Sequence, residues 1–288
     1  MTIDATERDA YLARLGVEAE PPSVDALFRL HRAHVERVPW ETLWVQLGDR
    51  WSVDPAVSTT RVATTTRGGY CFHLNGAFSS LLDGLGYEVT RHVGGVHGPP
   101  GPAPADLSNH LVLTVTGLPS DENPSGAWYV DVGLGDALHE PVALAPHVFE
   151  QPPFRMSLEA TSGGVGDWHL THDPAGGFTG MSWRAEPTDM DAFAATNEWL
   201  STAPESGFVR FLTVQCRDAT GVSVIRGLTL RRIGSGESVA DLATKAELRA
   251  ALGDLFGIDL SSVDDAAFDA MWERVHAAHL EWDAAGRP

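Results

Sequence analysis

Cysteine is scarce in this 288-residue chain: only Cys71 and Cys216 occur, too few for a disulfide framework or a thiolate zinc cage. Positive charge is scarce as well. Lys and Arg number 20 against 39 Asp and Glu, so the formal net charge is −19, and that mean field opposes general binding to polyphosphates or anionic lipid. Nucleic acid is therefore excluded as a first partner. No segment stays apolar long enough to span a bilayer, and the first residues show no basic stretch leading into an apolar one, so a cytoplasmic protein without a membrane partner is expected. Internal repeats and low-complexity tracts are absent too. His31 with His34, His169 with His172 and His276 with His279 are spaced to bring ring nitrogens together. None has an added Cys or carboxylate in a zinc pattern, and no metal is expected. What remains, 43% hydrophobic and 20% charged residues, is the composition of a folded body with ample core.

Helical spacing opens the chain. Tyr11, Leu12 and Leu15 share a face, and after Ser23, a good N-cap, Leu27, Leu30 and Val35 repeat at helical intervals. The clearest helix has Leu74, Ala77, Phe78, Leu81, Leu82 and Leu85 on one stripe, with Cys71 in its first turn and Gly86 after its end. Short β-like segments follow at 87–96, 110–115 and 128–132, with weaker ones towards Trp183, which makes the middle third a β-barrel or sandwich. The Gly- and Pro-dense stretch 94–104 and the stretch 119–127 are expected as surface loops. A helical pattern returns at 189–200, then strands near 208–217, 222–225 and 228–233, and helices over 244–255 and 264–282 close the chain.

Arg67-Gly-Gly-Tyr-Cys71 brings a glycine pair and a cysteine to the start of that amphipathic helix. A reactive thiol suits such a place, because unpaired N–H groups and the positive end of the helix dipole favour thiolate over thiol. The plainer reading is a small buried hydrophobe. A thiol nucleophile needs a base and a group to orient it, and His110 and Asp131 lie on the two β-segments flanking the 119–127 connection. Paired antiparallel, those segments put both side chains on one face. The order Cys, His, Asp is that of papain-like chemistry. Cys216 reads as a strand residue in the core, Asp136 and Trp40 as residues beside a cleft, and Gly94-Gly95 as a pair that could approach a phosphate-bearing cofactor.

Arg67-Gly-Gly-Tyr-Cys71-Phe-His-Leu-Asn75, His110 with its apolar strand and Asp131-Val-Gly-Leu-Gly-Asp136 resemble, in kind, order and separation, the arylamine N-acetyltransferase family. Leu12 to Leu43, with Val38-Pro-Trp-Glu-Thr-Leu43, and Asn197 with Ser201-Thr-Ala-Pro-Glu-Ser206 resemble further stretches of that family. The resemblance implies an α+β fold: an N-terminal helical bundle over 1–86 carrying the nucleophile, a central β-barrel over 87–188 carrying His and Asp, a helical connector over 189–206 and a C-terminal α/β lid over 207–288. It implies a papain-like catalytic set of Cys71, His110 and Asp131, and a supporting ion pair between Arg67 and Glu41. The implied reaction is ping-pong transfer of an acyl group, typically acetyl, from acyl-coenzyme A through a Cys71 thioester to an aromatic amine, hydrazine or hydroxylamine nitrogen.

Two departures stand out. His73 occupies a position where the family carries Glu, and a neutral, supporting imidazole is expected there. Leu134 replaces a Phe common in relatives, which removes an aromatic wall from the substrate pocket expected around Tyr70, Phe72, Trp40 and Leu134. Competing readings are an amide synthase that closes a macrolactam from a polyketide on an acyl carrier protein, a papain- or transglutaminase-like hydrolase, and a non-catalytic binding member of the fold. Coenzyme A is an anion, so its use requires a local cluster of Arg or Lys that offsets the mean field.

Overall fold

The structure, a computed structural model, describes residues 3–286. Caps set the first helices. Asp4 accepts the Glu7 N–H and Ser23 the Ala26 N–H, opening α1 (Ala5–Leu15) and α2 (Val24–Arg37). β1 (Trp40–Glu41) and α3 (Leu43–Leu47) follow, and Pro55 then starts α4 (Pro55–Thr64) behind its Asp54 cap. The sequence reading had no α4. Its Thr59, Thr60 and Thr64 turn their hydroxyls back onto carbonyls four residues earlier, so polar residues occupy much of its surface and blur the apolar stripe. α5 (Cys71–Gly84) is buried along nearly all its length, with Gly86 at φ +90° turning the chain away beyond it.

β2 (Glu88–His97), β3 (His110–Thr116), β4 (Trp128–Val130), β5 (Val142–Ala143), β6 (His147–Gln151), β7 (Phe154–Ala160), β8 (Trp168–Thr171) and β9 (Gly180–Pro187) form one antiparallel sheet in the order β5-β4-β3-β2-β9-β8-β7-β6. Its two edge strands, β5 and β6, are neighbours in the chain. Laid flat, eight strands would hold their edges roughly 30 Å apart, whereas the few residues between Ala143 and His147 span at most about 15 Å. The sheet must curl, and it forms a half-barrel filled by Val112, Tyr129, Phe154, Met181 and Trp183. Against its outer face lies α5, with Phe78 and Leu81 in one core with Leu111, Leu113 and Val115. β3 is thus buried on both faces.

The expected loop at 94–104 is corrected in its first part, because β2 runs on to His97. The glycines serve close approach, to the neighbouring strand and to the segment before β3: a Cβ on Gly94 would lie 2.6 Å from Val112, and one on Gly95 2.5 Å from the Asp106 carbonyl.

A 3-10 turn (Met190–Phe193) and α6 (Ala194–Thr202) lead to α7 (Gly207–Arg210), β10 (Thr213–Asp218), β11 (Gly221–Arg226), β12 (Thr229–Gly234), β13 (Ser238–Asp241), α8 (Lys245–Asp254) and α9 (Asp265–Ala284). Residues 208–212, expected as strand, begin instead as α7, because the Ser206 hydroxyl accepts the Phe208 N–H and starts a helical turn. The second sheet, β1-β10-β11-β12-β13, borrows β1 from the helical lobe and buries Val214 and Ile225 against Leu248, Phe268 and Met271 of α8 and α9. The fold is mixed α+β. No described helix is long and apolar enough to cross a membrane.

One arginine ties this second sheet to the half-barrel. Arg217 on β10 is 1% exposed, and its guanidinium donates to the carbonyls of Ala137 (3.2 Å), Gln151 (2.9 Å), Pro152 (2.7 Å) and Gly221 (2.9 Å). Burial lowers its pKa to about 10, so it stays charged at neutral pH. Arg217→Met should leave those carbonyls unpaired and cost about 3 kcal/mol or more. Urea unfolding of the two proteins measures this, and equal midpoints would refute the clamp.

Candidate active site

Glycine makes the approach to Cys71 possible. A Cβ on Gly68 would lie 1.9 Å from the Pro39 carbonyl oxygen, and Gly69, at φ +125°, has the His73 ring where a Cβ would go. The chain therefore reaches Tyr70 in an extended conformation and turns into α5 at Cys71. The amides of that first turn have no acceptor four residues back. Cys71 is 5% exposed, and its Sγ lies 3.7 Å from the Asn109 carbonyl oxygen, the residue before His110.

His110 opens β3, and Asp131 follows β4. The ladder pairs Leu113 with Val130, so one step further Asp131 stands opposite Val112, on the face that His110 shares. The His110 Nε2 donates to Asp131 Oδ2 at 2.8 Å, and the Cys71 sulfur lies beside the start of the same strand, close enough for its charge to act on the ring. Burial alone would push the imidazole down. The Asp131 carboxylate and the Cys71 sulfur, by charge and hydrogen bond, outweigh burial and raise its pKa to about 10. Burial would likewise raise the Asp131 carboxyl, but His110, Asn75 and the Gly133 amide hold it below the usual carboxylate range.

Asp131 has every acceptor site engaged. Oδ2 also takes the Tyr129 hydroxyl at 3.0 Å, while Oδ1 takes Asn75 Nδ2 at 2.8 Å and the Gly133 N–H at 2.9 Å. Asn75 in turn donates to the Leu111 carbonyl (2.6 Å) and accepts the Val132 N–H (2.9 Å), stitching α5 to β3 and to the loop after β4. His31 of α2 places its ring nitrogens 3.0 Å from the His139 carbonyl and 3.1 Å from the Asp131 carbonyl, and burial lowers its pKa to about 4. A neutral ring donates to one of the two at a time. None of these three had a role in the sequence reading. Asn75 stands one helical turn after Cys71 and Tyr129 two strand residues before Asp131, so spacing pointed to both; the His31 contact crosses 100 residues and left no local trace.

Behind the start of α5, Arg67 meets the buried Glu41 through two hydrogen bonds, 3.0 and 3.2 Å, and Arg14 donates to the Val62, Thr66 and Arg67 carbonyls, fixing the chain just before the glycines. His73 is fully buried between Trp44, Trp51 and Tyr70, and neither ring nitrogen has a hydrogen-bond partner of ordinary geometry. Burial, with Arg61 adding repulsion, pushes its pKa well down, so the ring is neutral.

Of the residues expected around the substrate pocket, Tyr70 and Phe72 serve as core. Both are fully buried: the Tyr70 hydroxyl donates to Asn197 Oδ1 at 2.5 Å, and the Phe72 ring packs on Phe193. Leu134 is nearly buried against the half-barrel core, and Trp40 lines a narrow space together with Asp131 and Gln215. A large cavity of about 950 Å³ lies elsewhere, between the second sheet, α9 and the 175–177 turn, with Asp136 on its wall. Cys216 faces the Glu36 carbonyl (3.3 Å), and burial raises its thiol to about 12. Among the described residues no group of three or more His, Cys, Asp or Glu is arranged to hold a metal.

The raised pKa of His110 has a definite sign. Its imidazolium stabilises the fold fully below the unfolded value of about 6.5, and that contribution fades as pH climbs through about 10. An NMR titration of the ring nitrogens should show His110 protonated from pH 7 to 9 and titrating near 10. In Asp131→Asn the transition should fall by more than one unit. A midpoint near 6.5 in the unaltered protein would contradict the ion pair.

The N-acetyltransferase family model matches residues 23–265. The arylamine N-acetyltransferase of Mycolicibacterium smegmatis is 28% identical over 275 residues, 90% of this chain and 94% of that one. The enzyme of the same name from Escherichia coli is 28% identical over 267 residues, 89% of each. In three dimensions, the structure of Mycobacterium marinum arylamine N-acetyltransferase in complex with CoA superposes with a TM-score of 0.81 at 25% identity, covering 94% of this chain and 98% of that one. With a family model spanning most of its length, relatives aligned nearly end to end and the same fold, the chain belongs to the arylamine N-acetyltransferase family.

Proposed function

We propose that this enzyme moves an acetyl group from acetyl-coenzyme A to the nitrogen of an arylamine, hydrazine or hydroxylamine through a thioester on Cys71. One observation carries the reading: a buried imidazole, held cationic by a saturated carboxylate, directly follows the Asn109 carbonyl that lies 3.7 Å from the sulfur of a cysteine beginning a helix. An imidazolium beside a sulfur favours the thiolate, the form that attacks carbonyls. In this reading residues 1–86 supply the nucleophile and 87–188 the base with its orienting acid, a papain-like Cys71–His110–Asp131 set. Arg67 and Glu41 position the backbone before the cysteine. His73 packs behind it.

The thiolate attacks the acetyl carbonyl carbon, and the first-turn amides of α5 are placed to receive the oxyanion. The bond from that carbon to the coenzyme A sulfur breaks, and the departing thiolate takes the imidazolium proton. Acetyl-Cys71 and neutral His110 remain. An amine nitrogen then attacks the thioester, His110 accepts the N–H proton, and the bond to Cys71 breaks, releasing the amide and restoring the thiolate and imidazolium. The net change is acetyl-coenzyme A plus amine to amide plus coenzyme A thiol. Two unpaired cysteines, one of them the nucleophile, favour a reducing compartment, so we place the enzyme in the cytoplasm.

Intact-protein mass spectrometry after mixing with acetyl-coenzyme A should show one acetyl group, located on Cys71, that an aromatic amine discharges as amide. Cys71→Ala should show no adduct and lose about 10³-fold or more of the turnover. No adduct on the unaltered enzyme would overturn the reading, and release of acetate at one rate with or without amine would make the chain a hydrolase.

A further inference from the structure

Of the four groups that donate to Asp131, Tyr129 is the one whose polar atom the fold does not otherwise need. The Gly133 donor is a backbone amide, and Asn75 also binds the Leu111 carbonyl and the Val132 N–H, joining α5 to the sheet. The Tyr129 hydroxyl makes its one hydrogen bond among the described residues to Asp131 Oδ2, at 3.0 Å. Its ring is fully buried in the half-barrel and stacks on Trp183, with centroids 4.8 Å apart and planes 25° from parallel. A Phe in this place would fill the same core without burying a hydroxyl, so only the carboxylate accounts for the oxygen.

The carboxylate oxygen it binds is the one that faces the base. Oδ2 takes both His110 Nε2, at 2.8 Å, and the Tyr129 hydroxyl, whereas Asn75 and Gly133 bind Oδ1. A second donor on Oδ2 draws off part of the negative charge that the imidazolium meets, and it lays the positive end of an O–H dipole beside that cation. Both effects ease the loss of a proton from the ring. Burial, with the Asp131 charge added, keeps the phenol protonated well above its ordinary range, so it donates whether His110 is charged or neutral.

Few other charges face this ring. β2 places Gly94 opposite His110 and offers no side chain, and α5 brings only the Cys71 sulfur, near the Asn109 carbonyl. His31 of α2 touches the Asp131 backbone carbonyl, not the carboxylate, and with its pKa lowered to about 4 it is neutral wherever the enzyme works. The balance on His110 is therefore struck between Asp131 and Cys71, which hold the proton, and Tyr129, which acts on Asp131.

We infer that Tyr129 is a positioning residue for acyl transfer: by sharing Oδ2 with His110, its hydroxyl loosens the carboxylate's hold on the imidazolium and makes the ring a stronger acid towards the departing coenzyme A sulfur. This rests on the reading of Cys71 and His110 as the acyl-transfer pair. When the bond from the acetyl carbon to the coenzyme A sulfur breaks, its electron pair goes to that sulfur, which takes a proton from the ring. Nε2 keeps its proton on Oδ2, so the proton given up is the one on Nδ1. The thiol of coenzyme A forms, and His110 is left neutral.

The test compares the unaltered enzyme with Tyr129→Phe. The NMR midpoint of His110 should rise by about half a pH unit or more in the variant, the opposite of its fall in Asp131→Asn. An unchanged or lowered midpoint overturns the coupling. Acetylation of Cys71 is then timed with acetyl-coenzyme A, whose sulfur needs a proton on leaving, and with p-nitrophenyl acetate, whose phenolate leaves without one. The ratio of the first rate to the second should fall about twofold or more in Tyr129→Phe. Equal slowing with both donors would mean a structural role alone and overturns the inference. Site-specific 3-fluorotyrosine in place of Tyr129 is a more acidic phenol and a stronger donor, so it should lower the His110 midpoint. It decides the matter if the Phe variant does not fold, and an unchanged or raised midpoint there counts as refutation. The midpoint is measured without substrate, which separates this inference from the transferase reading. Its rise in Tyr129→Phe supports the coupling even where Cys71 takes no acetyl, and its failure to rise refutes the coupling even where transfer is intact.

Discussion

A carboxylate removed from water is tolerable only when its oxygens are fully hydrogen-bonded, and Asp131 imposes that demand on the rest of the molecule. Its donors come from His110 on β3, Asn75 on α5, Tyr129 on β4 and the Gly133 amide of its own loop, so strand, helix and loop must arrive together. Satisfying Asp131 therefore also sets the distance between helix and sheet, and with it the distance between sulfur and imidazole. The cation on His110 follows from the same arrangement, since without that carboxylate burial would lower the ring's pKa.

The opposite side of the α5 start shows a different electrostatic balance. Arg14, Arg61 and Arg67 are gathered there with Glu41 as their buried carboxylate. The family resemblance led to the expectation of a carboxylate where this chain has His73, and a protonated ring would add one more cation to the group. The ring is neutral, and backbone carbonyls and the Trp51 face, 3.8 Å from the Arg61 guanidinium, do part of the work of the missing charge. Three guanidiniums against one carboxylate leave an excess of positive charge behind the first turn of α5.

How much of this was legible depended on the range of each interaction. The α5 stripe from Leu74 to Leu82 was readable because a helix records its buried face every three to four residues. His110 and Asp131 were readable as a pair because the period of a strand is short and the 119–127 connection brings two strands side by side. Gly94 and Gly95 misled: glycine marks a turn and a close backbone approach alike, and only the neighbouring strand decides which. The Tyr70 and Phe72 rings looked available beside a nucleophile, yet the helical lobe consumes them as core. His31 and Arg217 were invisible because their partners lie far away in sequence and are backbone carbonyls, which any residue type supplies.

The acidic excess of the chain, which argued against anionic ligands at the level of composition, acts over a limited distance. At physiological ionic strength exposed charges more than about 8 Å apart are largely screened, so carboxylates on the far surface contribute little inside a cavity walled by protein. There the local set is Arg210, Arg226 and Arg231 with one carboxylate, Asp136, whose Oδ2 accepts the Gly177 N–H. The same reasoning applies behind the start of α5, where Arg61 and Arg67 are gathered about Glu41 in a protein of charge −19. Net charge thus governs how the whole molecule meets other large charged bodies, while the side chains within a few ångströms govern which small ones it admits.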